Sequence, residues 1–457
     1  MKVLMRMLIG GLILLGVSGV ASAQIPPDVT PLSLERLEQM ALERNPTLRQ
    51  AQAELDAARG RARQAGAFPN PIVGYTAEEV SGGAVIRGGE HGAFIEQQIP
   101  LGGKLARSRT IFDREAGQAE AALELQRLRV RTTVRVLFYE ALTAARRVEL
   151  NERLAELVSE AVGISRQLAN VGAADRPDVL ESEVEAARAQ LQLTAARNRQ
   201  FAVWRQLAAA VGNPGLSLVP LAGSLESAVP EIDRTGALKA VLERSPELQV
   251  ARRGIDRARA VVSRARRETY PDLFLRGVAA YNRELLDVAV GGQARPVGWE
   301  AAFEVGISLP LFNKNAGGIA AARAEETRAE AEVQRVELAL ESRLAGVFEG
   351  YLTALRGAEV YRSQILPRAE EAYRLYLARY REMGAAYPQV LIAQRTLFQT
   401  TDEYLMTVEH AWRSALQIQG FLVSDALDAP ARAGDVETGQ PTGVEAVMPL
   451  GFRRGAN

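Results

Sequence analysis

The spacing of apolar and polar positions changes character several times along the chain. From Leu105 to Val171 no proline intervenes and Ala, Leu, Glu, Arg and Gln dominate, which predicts one continuous helix. At about 1.5 Å per residue it would run about 100 Å. Gly117 and Gly163 each weaken it by about 1 kcal/mol relative to Ala. Leu150, Leu154, Leu157, Ala161, Ile164 and Leu168 follow at spacings of 4, 3, 4, 3 and 4, a coiled-coil seam. Val130, Val134, Leu137, Ala141, Ala145 and Val148 continue a similar stripe. After a break at Gly172, a returning helix to about Val211 carries Leu180, Val184, Ala187, Leu191 and Ala195. The two stripes are expected to pair antiparallel as helix-pair core. A second long helix is predicted from about Gly317 to Met383, with a kink at Pro367 and a break at Gly384.

Elsewhere the period drops to two. Trp299, Ala301, Phe303, Val305, Ile307, Leu309 and Leu311 alternate with Glu300, Ala302, Glu304, Gly306, Ser308 and Pro310. This predicts a strand with an apolar and a polar or small face. Ile72–Val80, Ala93–Leu101 and Leu273–Arg283 alternate more weakly. Strands of this length suit a transmembrane sheet, yet four cannot close a barrel, and lipid does not tolerate an open edge. Either the sheet is a small soluble cap on the helices, or several chains each donate four strands. Three chains would give twelve.

The same order of elements occurs twice. Leu42-Glu43-Arg44-Asn45-Pro46-Thr47-Leu48 reappears as Leu242-Glu243-Arg244-Ser245-Pro246-Glu247-Leu248. An Ala/Arg-rich helix follows each, then Phe68-Pro69 or Tyr270-Pro271. A strand-like zone next ends at Pro100-Leu101 or Pro310-Leu311, and a long helix follows. This is a duplication. The expected organisation is 1–23 signal peptide, 24–215 first repeat, 216–234 linker, 235–424 second repeat and 425–457 tail, which either wraps the body or is disordered. Within the repeats the strand pairs are 72–101 and 273–311, and the hairpin tips lie near 172 and 384.

Composition narrows the setting. Lys2 and Arg6, the apolar run Met7–Val20 and Ala21-Ser22-Ala23 read as a secretory signal cut before Gln24. No cysteine is present, so disulfides and a lipid anchor on cysteine are excluded. Formal charge is +0, and loss of Lys2 and Arg6 leaves the mature chain near −2, with no footprint for nucleic acid. Beyond the signal no apolar run is long enough for a membrane helix. His91 and His410 are the only histidines and stand apart, so a tight transition-metal site is not expected. Gly102-Gly103-Lys104 is not a phosphate loop, because Gln98 stands where the first glycine belongs and no Ser or Thr follows the lysine. No catalytic motif, cofactor or enzymatic activity is expected, so the energy for any transport must come from a partner.

These features resemble the TolC family of outer-membrane efflux proteins across essentially the whole mature chain. The repeated Leu-Glu-Arg-x-Pro-x-Leu helix, the Pro-bounded strand pairs, the long helices and the two turns carry the resemblance. The stretch IPLGGKLARS, Ile99 to Ser108, is similar to the Gly-Gly-Lys/Arg entry to the long helix in the CzcC-like branch, which serves heavy-metal exporters. The resemblance implies a mainly α fold with a transmembrane β region: a trimeric 12-stranded β-barrel continuous with a 12-helix α-barrel. It also implies an outer-membrane location with periplasmic helices. The implied function is a passive exit duct serving a periplasmic adaptor and an inner-membrane pump of the RND type. Carried over by position, the adaptor-docking tips would be Val171, Gly172 and Ala173, with Met383, Gly384 and Ala385. Small residues there would let another helical tip approach the backbone; Gly172 and Gly384 also suit ordinary helix C-caps. The acidic closure usual near the second tip is missing, since Gln389 and Ile392 stand there. Asp175, Asp178 and Glu181 at the first tip could line the lumen and attract cations, and Asp178 beside Pro177 also suits a helix start. A soluble periplasmic coiled-coil adaptor or scaffold is the alternative reading.

Overall fold

The computed structural model describes residues 31–80, 89–171, 175–286, 295–382 and 387–431. The predicted signal peptide and most of the predicted tail lie outside the described residues. Among the described residues the chain runs β1 (Leu32–Ser33), α1 (Leu34–Arg44), α2 (Pro46–Ala65), β2 (Ile72–Glu78), β3 (Glu90–Pro100), α3 (Lys104–Asn170) and α4 (Arg176–Ala210). It continues with β4 (Leu221–Ala222), α5 (Arg234–Arg244), α6 (Pro246–Arg267), β5 (Asp272–Leu286), β6 (Arg295–Ile307) and α7 (Ala316–Val360). A π-helical turn (Tyr361–Ile365), α8 (Leu366–Arg381) and α9 (Tyr387–Gln419) complete it.

Helix starts follow local chemistry. At α2, the Asn45 side chain accepts the Thr47 N–H at 2.9 Å, and Pro46 takes the first position, where no N–H is needed. The same Asn45 donates its Nδ2 to Ala210 O at 2.8 Å. That bond stacks α2 on the end of α4, making one rod of two helices. On the other side of the repeat, Leu248 and Ala251 of α6 share a buried cluster with Ala415 and Ile418 of α9, stacking α6 on α9. The wall is then a single layer of four rods, α4–α2, α3, α9–α6 and α7–α8. The sheet above repeats this order, β2-β3-β5-β6, antiparallel throughout. A small parallel pair, β1 with β4, and helices α1 and α5 flank the middle of the wall.

Two expectations need adjustment. The strongest alternation, over 299–311, forms a strand only to Ile307 and extends instead upstream to Arg295. Pro310 has no N–H to offer a ladder, and Leu311 N–H turns back onto Leu309 O. The helical stripes are also redistributed. α3 and α4 do run antiparallel, tied by Arg166–Glu183 and Arg197–Glu152. Yet Leu157, Ile164, Leu180, Val184 and Leu191 are exposed, and the buried positions are Val158, Val162 and Ser165 on α3 with Ser182, Glu185, Ala189 and Leu193 on α4. A helix in a one-layer wall has a neighbour on each side and so carries two stripes. On α4, at the edge of the wall, the stripe of Leu180, Val184 and Leu191 is left uncovered; α3 already has α4 on one side and α9 on the other, so Leu157 and Ile164 face off the wall.

The kink predicted at Pro367 takes the form of the π-helical turn just before it, where Leu366 N–H reaches back to Tyr361 O. Widening the turn accommodates the proline ring, which would clash with the fourth carbonyl before it. The first residues of the tail wrap the body. Ala426 is buried, its carbonyl accepts Thr47 Oγ1 at 3.1 Å, and the fully buried Gln126 donates to Thr47 Oγ1 at 2.8 Å.

Candidate functional site

Register assigns every strand residue to a face, because directly paired residues share a side. One side carries Val73 and Tyr75 of β2, Ala93, Ile95 and Ile99 of β3, Leu273, Leu275 and Tyr281 of β5, and Trp299, Phe303, Val305 and Ile307 of β6. Trp299, Phe303 and Val73 are each more than 70% exposed in the single chain, far more apolar surface than a water-facing sheet leaves open. Tyr75, His91, Tyr281 and Trp299 gather near one end of it. The Tyr75 hydroxyl lies 2.5 Å from His91 Nδ1, and the Tyr281 and Trp299 rings meet edge to face at 5.7 Å. Such an aromatic row bounds the apolar band of a membrane sheet.

The opposite side carries Thr76, Glu78, Glu90, Glu96, Gln98, Arg276, Asn282, Glu300 and Glu304, with Ile72, Phe94, Phe274 and Val278 set among them. Arg276 lies 3.9 Å from Glu304 and 5.0 Å from the centre of the Phe94 ring. Among the described residues of this side, Arg276 is the one cation facing five glutamates. An apolar outside and a polar, acidic inside is the arrangement of a membrane pore wall.

Sheet and helices meet at a polar joint. Gly102 and Gly103 have φ of 67° and 72°, and a Cβ on Gly102 would come within 2.6 Å of Tyr270. This tight corner lets Lys104, buried at the start of α3, place Nζ 2.9 Å from Asp272 Oδ1 on the polar face. Leu101 N–H donates to the same carboxylate at 3.2 Å. Asn315, at φ 53°, makes the equivalent corner before α7. Eleven residues beyond Lys104, on the same side of α3, Glu115 receives Arg61 of α2 and Arg257 of α6.

At the far end, Val171 closes α3 and is 76% exposed. Gly172 and Ala173, and Met383, Gly384 and Ala385 of the second tip, lie outside the described residues. Asp175, Asp178 and Glu181 open α4 and are all exposed; Asp178 accepts the Asp175 N–H at 3.4 Å, which is a helix-start role.

Sequence reasoning missed the charged ties between the two hairpins. Arg395 of α9 donates to Glu185 of α4 at 3.0 Å, and Asp402 takes both arms of Arg147 on α3 at 2.6 and 3.0 Å. Further along, Arg413 bridges Glu140 and Glu409 at 2.6 and 2.8 Å. A cleft of about 740 Å³ between α3, α4 and α9 is lined by several of these groups with Leu150, Leu154 and Phe398. The partners are 210 to 273 residues apart, so no local spacing exposes them. The one available signal was arginine and acid at seven-residue intervals along α9, Arg395, Asp402 and Glu409. No group of three or more His, Asp or Glu able to hold a metal occurs among the described residues, and no described helix is long and apolar enough to cross a membrane.

A family model described as outer membrane efflux protein matches residues 37–213 and 237–418. The chain belongs to this family. It is 28% identical over 395 residues to the cobalt-zinc-cadmium resistance protein CzcC of Cupriavidus metallidurans, covering 86% of this chain and 90% of that one. With the nickel-cobalt-cadmium resistance protein NccC of Alcaligenes xylosoxydans xylosoxydans it shares 26% identity over 336 residues, 72% of this chain and 70% of the other. The fold is shared with the outer membrane protein VceC of Vibrio cholerae, at a TM-score of 0.68 and 20% identity over 86% of this chain and 96% of that one. As an outer membrane efflux protein the chain is a channel of the outer membrane with its helices in the periplasm, the site of work of tripartite systems of channel, adaptor and pump.

Proposed function

We propose that three copies of this chain form a passive exit duct for divalent heavy-metal cations. The carrying observation is the four-stranded sheet, with an apolar outer face, an acidic inner face and two open edges. β2 and β6 run in opposite directions, so β6 of one copy can pair antiparallel with β2 of the next. Three copies would close twelve strands above twelve helical rods. The exposed stripe of Leu180, Val184 and Leu191 on the edge helix α4 would be covered by the hairpin of the neighbouring copy. Cation traffic is supported by the relatives' names and by Glu78, Glu90, Glu96, Glu300 and Glu304 on the inner face; weak, repeated sites suit conduction better than tight binding.

In this reading 24–215 and 235–424 are two repeats joined by 216–234, with a signal peptide before and a tail from 425. Each repeat descends the wall, turns and climbs back. Val171, Gly172 and Ala173, with Met383, Gly384 and Ala385, take the tips of a periplasmic adaptor. An RND-type inner-membrane pump supplies the energy, and the chain performs no catalysis. Asp175, Asp178 and Glu181 ring the entrance and draw cations in. A soluble scaffold would leave the apolar face of the sheet in water, which disfavours it. The test is metal export from cells carrying pump and adaptor. Gly172→Trp with Gly384→Trp abolishes export while trimers and membrane insertion persist. Unchanged export removes the docking assignment.

A further inference from the structure

Just below the sheet lies a band that efflux alone does not explain. α2 and α6 end at Ala65 and Arg267, and α3 and α7 begin at Lys104 and Ala316, each joined to a strand by a short connection. Phe68, Tyr270, Leu311 and Phe312 in the connections are exposed, Phe312 completely. They lie in the connections directly between the helices and the sheet. Mixed with them are Arg63, Arg266, Arg267 and Lys314. None of these four has a carboxylate partner among the described residues, whereas Arg257, Arg259 and Arg264 of the preceding turns are all paired with glutamates. Arg63 follows Arg61 by two residues, about 200° around α2. Arg61 reaches Glu115 on the lumen side, so Arg63 points outward. The Arg267 guanidinium lies 5.1 Å over the Tyr270 ring. A cleft of about 640 Å³ on this part of α6 is lined by Arg266, Arg267, Ser263, Thr269 and Tyr270, with Arg259 neutralised there by Glu326 of α7.

We infer that this band is a binding collar for anionic phospholipid in the periplasmic leaflet of the outer membrane. The exposed aromatics sit at acyl-chain and headgroup depth, and the arginines hold the lipid phosphate. Helix electrostatics account for cations at the ends of α2 and α6, but not for Lys314 ahead of α7, where a positive charge opposes the dipole. A phosphodiester with a neutral headgroup supplies the missing negative charge; a zwitterionic lipid brings its own cation and does not.

Native mass spectrometry of the full, detergent-purified protein tests this with dioleoyl phosphatidylglycerol, dioleoyl phosphatidylcholine and inorganic phosphate as probes. Phosphatidylglycerol is expected to remain bound where phosphatidylcholine is stripped, and excess inorganic phosphate is expected not to displace it. Arg63→Gln with Arg266→Gln and Arg267→Gln should lower phosphatidylglycerol retention by about tenfold. Arg356→Gln with Arg368→Gln and Arg379→Gln, an equal charge change far from the collar, should leave it unaltered. Equal retention of both lipids by the unmodified protein overturns the inference, whether or not the triple variant folds. Displacement by phosphate makes the collar a free-anion site and also overturns it. A triple variant that is less stable but retains the lipid fully reduces the arginines to helix-end stabilisation. None of these outcomes bears on metal export, so the collar can fail while the duct stands.

Discussion

Lys104 shows how a single residue serves the joint between membrane and periplasmic parts. It is buried, and its partner Asp272 begins the strand of the other repeat, so one ion pair holds the corner of α3 to the start of β5. Lys104→Met leaves the Asp272 carboxylate without its cation in a largely enclosed place. The expected loss is about 2 kcal/mol, read as a lowered thermal transition in detergent. An unchanged transition would mean that the pair is not structural. Glu409 makes a pH-dependent contribution. Burial raises its carboxyl above the ordinary value of 4.5; Arg413 opposes this and Glu140 adds to it. The folded chain thus holds this proton more tightly than the unfolded one. The group's contribution to stability therefore declines as pH rises from about 4.5 through the raised folded value, and is constant above it. Glu409→Gln should flatten that part of the stability profile, measured by thermal unfolding across acidic buffers. A profile identical to the parent would contradict the assignment.

At the scale of elements, the faces of the strands are the sharpest claim. Phe303 and its neighbour Ala302 lie on opposite faces of the sheet; in the proposed barrel the first faces lipid and the second the lumen, so arginine at the two positions should have opposite consequences. Phe303→Arg is expected to cost about 2 to 4 kcal/mol per chain and to block membrane assembly, and Ala302→Arg to be tolerated. Heat-resistant bands on unboiled gels, compared with membrane fractions, would reveal it; equal behaviour would erase the distinction between faces. The strand over 299–311 was legible because its alternation is clean, though its end was misplaced by trusting Leu309 and Leu311 across Pro310. Helix extent was legible from propensity and the absence of proline. Which stripe is buried was not, because period 3.5 marks a contact without naming the partner. Leu157 and Ile164 point away from their own hairpin while Val158 and Val162 are buried. The Arg147–Asp402 and Arg413–Glu140 ties were invisible for a related reason: ion pairs between distant helices leave no local pattern.

For the whole molecule, the open sheet edges, the uncovered α4 stripe and the acidic inner face all concern what one chain leaves unfinished. Asp178 can be tested at this level. If three copies bring it to the entrance, Asp178→Asn lowers cation selectivity in planar bilayers; identical conductance and selectivity would leave only its helix-start role. Everything rests on identical copies completing the wall. The most direct measurement is the mass and shape of the detergent-purified particle, by native mass spectrometry with electron-microscope imaging. A particle of three chain masses, long, hollow and threefold, is the predicted result. A single-chain particle, monodisperse in water without detergent, would contradict it.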